Sequence, residues 1–172
     1  NYLIPVGPLW LPIFWLSVFI SINTVRIVGI VLDRRSIAFN DEEAELLGTV
    51  FQNFSPVEFM KLMRIGEWRD AETGEQLAAQ GDMLGGLKLL FNGGVVVERD
   101  GAEVGRARDG AMIGEISFIQ GGAATATVVA TKPCRYVAWS GEELQKLLHR
   151  NPGMDIAMKH VFSLDMMRKL TI

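Results

Sequence analysis

The sequence predicts an α+β chain: an N-terminal transmembrane helix followed by a β-roll of jelly-roll type, with helices on either side of the roll. Three observations carry this. Asn1 to Val25 contains no charged residue. Residues 67–139 are cut by glycines into short β-like runs, and helix-start signals stand before and after that stretch.

Twenty-five helical residues rise about 37 Å, against a hydrocarbon core of about 30 Å. Trp10 and Trp15 add aromatic side chains of the type enriched near membrane boundaries. Pro5, Pro8 and Pro12 place the start of regular helix near Leu11 or Pro12. Arg26, Arg34 and Arg35, with Asp33 among them, form a cationic flank, so the rest of the chain is expected to face the cytoplasm. Residues 1–35 then form the transmembrane segment and its juxtamembrane connection, with the lipid bilayer as partner. A cleaved signal peptide and a buried core helix are the competing readings. The first lacks a basic start and the second lacks a polar face.

The remaining 137 or so residues have the size of one domain with its own core. A net charge of −3 and no basic cluster beyond the arginine flank exclude nucleic acid as an expected partner. One cysteine, Cys134, excludes an intrachain disulfide and a multi-thiolate zinc site. His149 and His160 lack the spacing of a metal pair or of a nucleophile and its base. No catalytic residue, metal site or cofactor is expected, and the chain does not read as an enzyme.

Residues 36–66 carry two helices. Asn40 precedes Glu43 by three, a reciprocal capping pattern that opens a helix from about Asp41 to Gln52. Ser55-Pro56-Val57-Glu58 adds proline at the first helical position and opens a second, ending near Gly66. Residues 67–139 read as eight or so short strands. Among them, Val95–Arg99 and Ala102–Val104 form a hairpin on Asp100-Gly101, and Ala126–Ala130 and Arg135–Trp139 form two more strands. Residues 140–172 return to helix. One starts at Ser140-Gly141-Glu142-Glu143, and another runs from Asn151-Pro152 to about Leu170. Met154, Met158, Val161, Phe162, Asp165 and Lys169 lie along related faces of the last helix.

One segment carries chemistry. Gly114-Glu115-Ile116-Ser117-Phe118 is followed, after a glycine-bearing loop, by Ala124-Thr125-Ala126-Thr127-Val128. Residues 113–128 resemble the phosphate-binding cassette of cyclic-nucleotide-binding domains, and Gly74-Glu75, Gln80-Gly81-Asp82 and Leu89–Gly93 match the turns and strand that precede it in that family. The resemblance implies a ligand, cyclic AMP or cyclic GMP, contacted by Gly114, Glu115, Ile116, Ser117, Ala124 and Thr125. Backbone amides opening at Gly114 would meet the phosphate. Glu115 would accept the ribose 2′-hydroxyl, and Ser117 and Thr125 would complete the cradle. The chain departs from the family where its phosphate-pairing arginine and the proline before it fall on Ala124 and Ala123. Losing a charge-assisted hydrogen bond of about 1.5–3 kcal/mol weakens binding roughly ten- to a hundredfold. Arg106, Arg108 and Lys132 are the nearby candidates to replace it. A narrower likeness, carried by Phe19–Asn23, Val50-Phe51 and Leu89–Gly93, is to Popeye-domain proteins, which also lack that arginine.

Two functions follow as expectations. One is a membrane-anchored cytoplasmic sensor or effector whose last helix closes over a cyclic nucleotide as a lid. The other is a non-binding interaction module, an accessory subunit of a larger membrane-protein complex; the expected protein partner is a membrane protein or, as a homo-oligomer, further copies of this chain.

Overall fold

The computed structural model describes residues 10–35 and 39–170, and the chain divides into two units, Asn1–Ala38 and Phe39–Ile172. The first contains α1, Trp10–Arg35. It contains Pro12; Pro5 and Pro8, and the start expected from them, border on or lie outside the described residues. Along it, the Ser17 and Ser21 hydroxyls donate to the carbonyls of Ile13 and Ser17, and the Asn23 amide donates to the Phe19 carbonyl, each at 2.8 Å.

Among the described residues no helix is long and apolar enough to cross a membrane. This overturns the expected transmembrane helix and the membrane localisation built upon it, and the lipid contact loses its basis. The uncharged run was counted from Asn1, whereas the helix runs from Trp10. Trp10 to Val25 is sixteen residues, which rise about 24 Å against the required 30 Å or so. Ser17, Ser21, Asn23 and Thr24 fall inside that length and Arg26 ends it.

The second unit opens with α2, Asp41–Thr49, and α3, Pro56–Arg64. Both carry the reciprocal caps read from the sequence: Glu43 N donates to Asn40 Oδ1 at 2.7 Å, and Ser55 N donates to Glu58 Oε2 at 2.9 Å. Helix α2 stops at Thr49, short of Gln52, and the chain then turns Phe51 and Phe54 into the core.

Six strands follow: β1 Gly66–Ala71, β2 Gln76–Ala78, β3 Gly86–Arg99, β4 Ala102–Arg108, β5 Met112–Ile113 and β6 Thr127–Ser140. They form one sheet of order β1-β6-β3-β4, with β2 added to β6 and β5 to β3. The eight or so short strands expected are fewer and two are longer, because β3 and β6 run through what read as breaks. Pro133 has no ladder partner, and it falls in the register gap between the pairs Gly94↔Lys132 and Asn92↔Arg135. A proline is tolerated where no ladder donor is required. The hairpin on Asp100-Gly101 joins β3 to β4 as expected, with Arg99 paired to Ala102.

Helix α4, Glu115–Gln120, lies between β5 and β6, and α5, Gly141–Arg150, and α6, Pro152–Leu170, complete the unit. Two clusters of buried side chains result. The larger joins Phe51, Phe59, Leu62, Leu87, Trp139, Leu144 and Met158, from helices and from one face of the sheet. Trp139 Nε1 donates to the Leu62 carbonyl at 2.9 Å within it. The smaller holds Leu77, Leu90, Val95, Val128, Ala130 and Tyr136 inside the roll. The apolar face of α6 is as the sequence indicated: Met154, Met158, Val161 and Phe162 are buried, and Asp165 with them.

Candidate functional site

Strand β5 delivers the chain to Gly114, which caps α4 with φ +90°. A side chain there would be strained by that angle and would stand 3.0 Å from the Gly86 carbonyl oxygen, so glycine is required. The turn admits the first residues of α4 to a cavity of about 190 Å³ inside the roll. Gly114, Glu115, Ile116, Ser117, Ala124 and Thr125, all six expected ligand contacts, line this cavity, as do Arg99 and Lys169. In the first turn of any helix the amides lack an intrahelical acceptor, so those of Glu115 to Ser117 are positioned to receive an anion.

The side chains differ in what they already touch. Ser117 donates its hydroxyl to the Ala123 carbonyl at 3.0 Å, bracing the loop. The loop is fixed further by Ala124 N to the Asp82 carbonyl and by Gly81 N to the Ala124 carbonyl, at 2.8 and 2.9 Å. Ala124 is buried, whereas Thr125 is exposed and its carbonyl accepts from Arg99 Nε at 3.2 Å.

Glu115 is only 5% exposed, and its carboxylate is held by Lys169 from the last turn of α6, Nζ to Oε1 at 2.5 Å. The same ammonium reaches Asp165 Oδ2 at 2.6 Å and donates to the Met112 carbonyl at 2.7 Å. Asp165 Oδ1 in turn accepts from Met112 N at 3.2 Å. Two buried carboxylates and one ammonium therefore tie α6 to β5 and α4: Lys169 donates to Glu115 and to the Met112 carbonyl, and its contact with Asp165 Oδ2 is an ion pair without a hydrogen bond.

Of the cations proposed to replace the missing arginine, none lines the cavity. Arg106 pairs with Glu103 on the exposed face of β4 at 2.8 Å, the Lys132 stem packs over Gly94, and Arg108 pairs with Gly94 at the far end of the β3–β4 ladder. Arg99 and Lys169 are the cations that line the cavity. Arg99 gave no signal beyond ending a hairpin strand. Lys169 was placed on the right helix face, but nothing local marked its partner 54 residues away.

A second space, about 960 Å³, lies between α4, α5 and α6. It is larger, with Phe118, Leu148, Met158 and Phe162 beside Lys146, His149, Asp155 and Lys159 in its walls, and it contains none of the six expected ligand contacts. Among the described residues no group of His, Cys, Asp and Glu could hold a metal ion.

Comparison with known proteins agrees with this geometry. The family model for the cyclic nucleotide-binding domain matches residues 68–151. A cAMP-dependent protein kinase regulatory subunit from Yarrowia lipolytica (strain CLIB 122 / E 150) is 33% identical over 72 residues, 42% of this chain and 19% of the subunit's own length. A protein named for cyclic nucleotide binding from Geobacter metallireducens GS-15 has a similar fold, with a TM-score of 0.68 at 22% identity over 77% of this chain and 99% of that one. A cyclic nucleotide-binding domain from Methylobacillus flagellatus KT gives 0.65 at 25% identity, covering 74% of this chain and 79% of its own. These matches are to a family named for ligand binding rather than for a reaction. They support the broader resemblance; the narrower one, to Popeye-domain proteins, gains nothing from them. Residues 68–151 carry a cyclic nucleotide-binding domain by sequence, and the fold over 77% of the chain is similar to that of a protein named for cyclic nucleotide binding.

Proposed function

We propose that this protein is a cyclic-nucleotide sensor in which the ligand and Lys169 compete for one carboxylate. The observation that carries the reading is the buried Glu115 at the mouth of the roll cavity, held by a helix that follows the domain. A nucleotide whose 2′-hydroxyl bonds Glu115 displaces the ammonium, and the last turn of α6 is released from β5. Binding energy is thereby converted into a shift of helix position, since a ligand moves an equilibrium by its differential affinity for the two states. Cyclic AMP is the first ligand to try, because the Yarrowia lipolytica relative is named for it. If no other cation replaces the absent cassette arginine, affinity is expected to stand about ten- to a hundredfold below that of a complete site.

The second reading is a non-binding interaction module. Two observations favour it: Ala124 stands where the phosphate partner is expected, and the cavity of about 190 Å³ is below the 300–1,000 Å³ or so of ordinary ligand pockets. Calorimetric titration of the full chain with cyclic AMP and cyclic GMP separates the two. The sensor reading expects binding that Glu115→Gln weakens. Silence with both nucleotides up to millimolar concentration leaves the interaction module.

A further inference from the structure

We propose that Arg99 supplies the phosphate-pairing guanidinium that the cassette itself lacks, reaching it from the neighbouring strand instead of from within the loop. The proposal rests on the sensor reading and adds to it the residue that recognises the anion.

Arg99 ends β3 and lines the same cavity as Gly114, Glu115, Ser117 and Thr125. Its Nε donates to the Thr125 carbonyl, one residue beyond Ala124. The guanidinium is therefore anchored along one edge beside the position where the family's arginine begins. Its two terminal nitrogens form no ion pair among the described residues, unlike those of Arg69, Arg106 and Arg135, which face carboxylates. A fork with two parallel donors is the geometry that matches a phosphate bidentately.

The backbone beneath it is fixed. Glu98 pairs with Thr127 at the end of the β3–β6 ladder. The next residue, Asp100, is bonded twice to Gln80: Gln80 Nε2 donates to Asp100 Oδ1, and Asp100 N donates to Gln80 Oε1, both at 2.8 Å. The side chain is thus delivered from a pinned strand end rather than from a free loop. Ala124, buried against the same cavity, leaves open the volume an arginine there would fill. The other cation at the cavity, Lys169, already donates to Glu115 and the Met112 carbonyl and pairs with Asp165.

The test is titration of the full chain with cyclic AMP and, separately, with adenosine, which has the base and sugar without the phosphate. Arg99→Gln is expected to weaken cyclic AMP about ten- to a hundredfold and to leave adenosine unchanged. Adding Ala124→Arg to that variant is expected to restore cyclic AMP binding. Arg99 is exposed, so its substitution should leave the thermal midpoint in place, which confirms folding. An Arg99→Gln protein that binds cyclic AMP within about twofold of wild type overturns the proposal. So does one that loses both ligands equally, which marks a structural role. If wild type binds neither ligand but Ala124→Arg creates cyclic AMP binding, Arg99 is excluded as the anion partner while the cavity reading stands. If neither protein binds, the sensor reading itself falls.

Discussion

The two buried clusters of this protein are built from one sheet and are packed differently. On the helix side, aromatic rings fill the space: Phe51 contacts Phe54, Phe59 and Trp139 with centroids 5.3 to 6.2 Å apart, in edge-on or tilted geometry. Inside the roll the residues are Val, Ala, Leu, Ile and Cys around a single buried Tyr136, and they stop short of filling it. Large rings bring dispersion and area enough to hold four helices in place. Small side chains leave room for charged groups and a ligand. The comparison teaches that stability and recognition have been assigned to opposite faces of β3 and β6.

The largest effect should come from a matched pair of truncations. Leu62 and Leu90 are both fully buried, one in each cluster. Leu→Ala costs about 2–5 kcal/mol depending on how far the surroundings collapse. Leu62→Ala, among interlocked rings, is expected near the upper end and Leu90→Ala near the lower, read from denaturant midpoints. Equal costs would dissolve the distinction.

Next in size is Lys169→Met. It strands Glu115 and Asp165, two buried carboxylates, and is expected to destabilise by about 1–3 kcal/mol, moderated by the partly exposed lysine end. Hydrogen exchange should quicken at residues 165–170 without ligand, as cyclic AMP is expected to cause in wild type. Combined with Glu115→Gln, the loss should fall short of additive. Additive losses would show that the ion pair is not coupled.

Ser55→Ala removes the hydroxyl that accepts from Glu58 N and donates to its carboxylate. About 1 kcal/mol is expected, felt by the helix cluster and not by ligand affinity. A change in cyclic AMP binding would join the two regions more closely than the packing suggests.

The smallest effect lies on the seam. Lys88, on β3 between Ile113 and Ala138, donates to the Leu77 carbonyl. Burial, then the nearby Arg69 charge, lower its pKa from 10.5, with Glu75 opposing. Below 10.5 the unfolded chain therefore holds more protons than the folded one, so this residue makes stability rise with pH through that window. Lys88→Met should flatten the rise in the window just below pH 10.5, followed by chemical denaturation. A slope unchanged in the variant would assign it to other groups.

What the sequence made legible was local. Asn40-Glu43, Ser55-Pro56-Glu58 and Asp100-Gly101 declare themselves within four residues, and the structure forms two caps and a hairpin at those positions. The apolar face of α6 was readable by its period. What stayed hidden spans long separations. Glu115 meets Lys169 across 54 positions and Arg99 meets Thr125 across 26, and no spacing rule announces either. The N-terminal helix failed for another reason. An uncharged run is a statement about composition, while a membrane span is one about helical length.

The middle of β3 has a consequence for how this chain can vary in length. Leu90 pairs with Tyr136 and Val95 with Ala130, so five steps on β3 answer six on β6, yet Leu90 and Val95 both point into the roll. Three register shifts, between Leu90 and Asn92, Asn92 and Gly94, and Gly94 and Val95, together absorb the missing step, with Gly93 at φ +137° beside Cys134 in the middle one. Adding one residue there would equalise the two strands and keep both side chains inward, so the motif tolerates growth at that point where ordinary β-strands would be turned inside out.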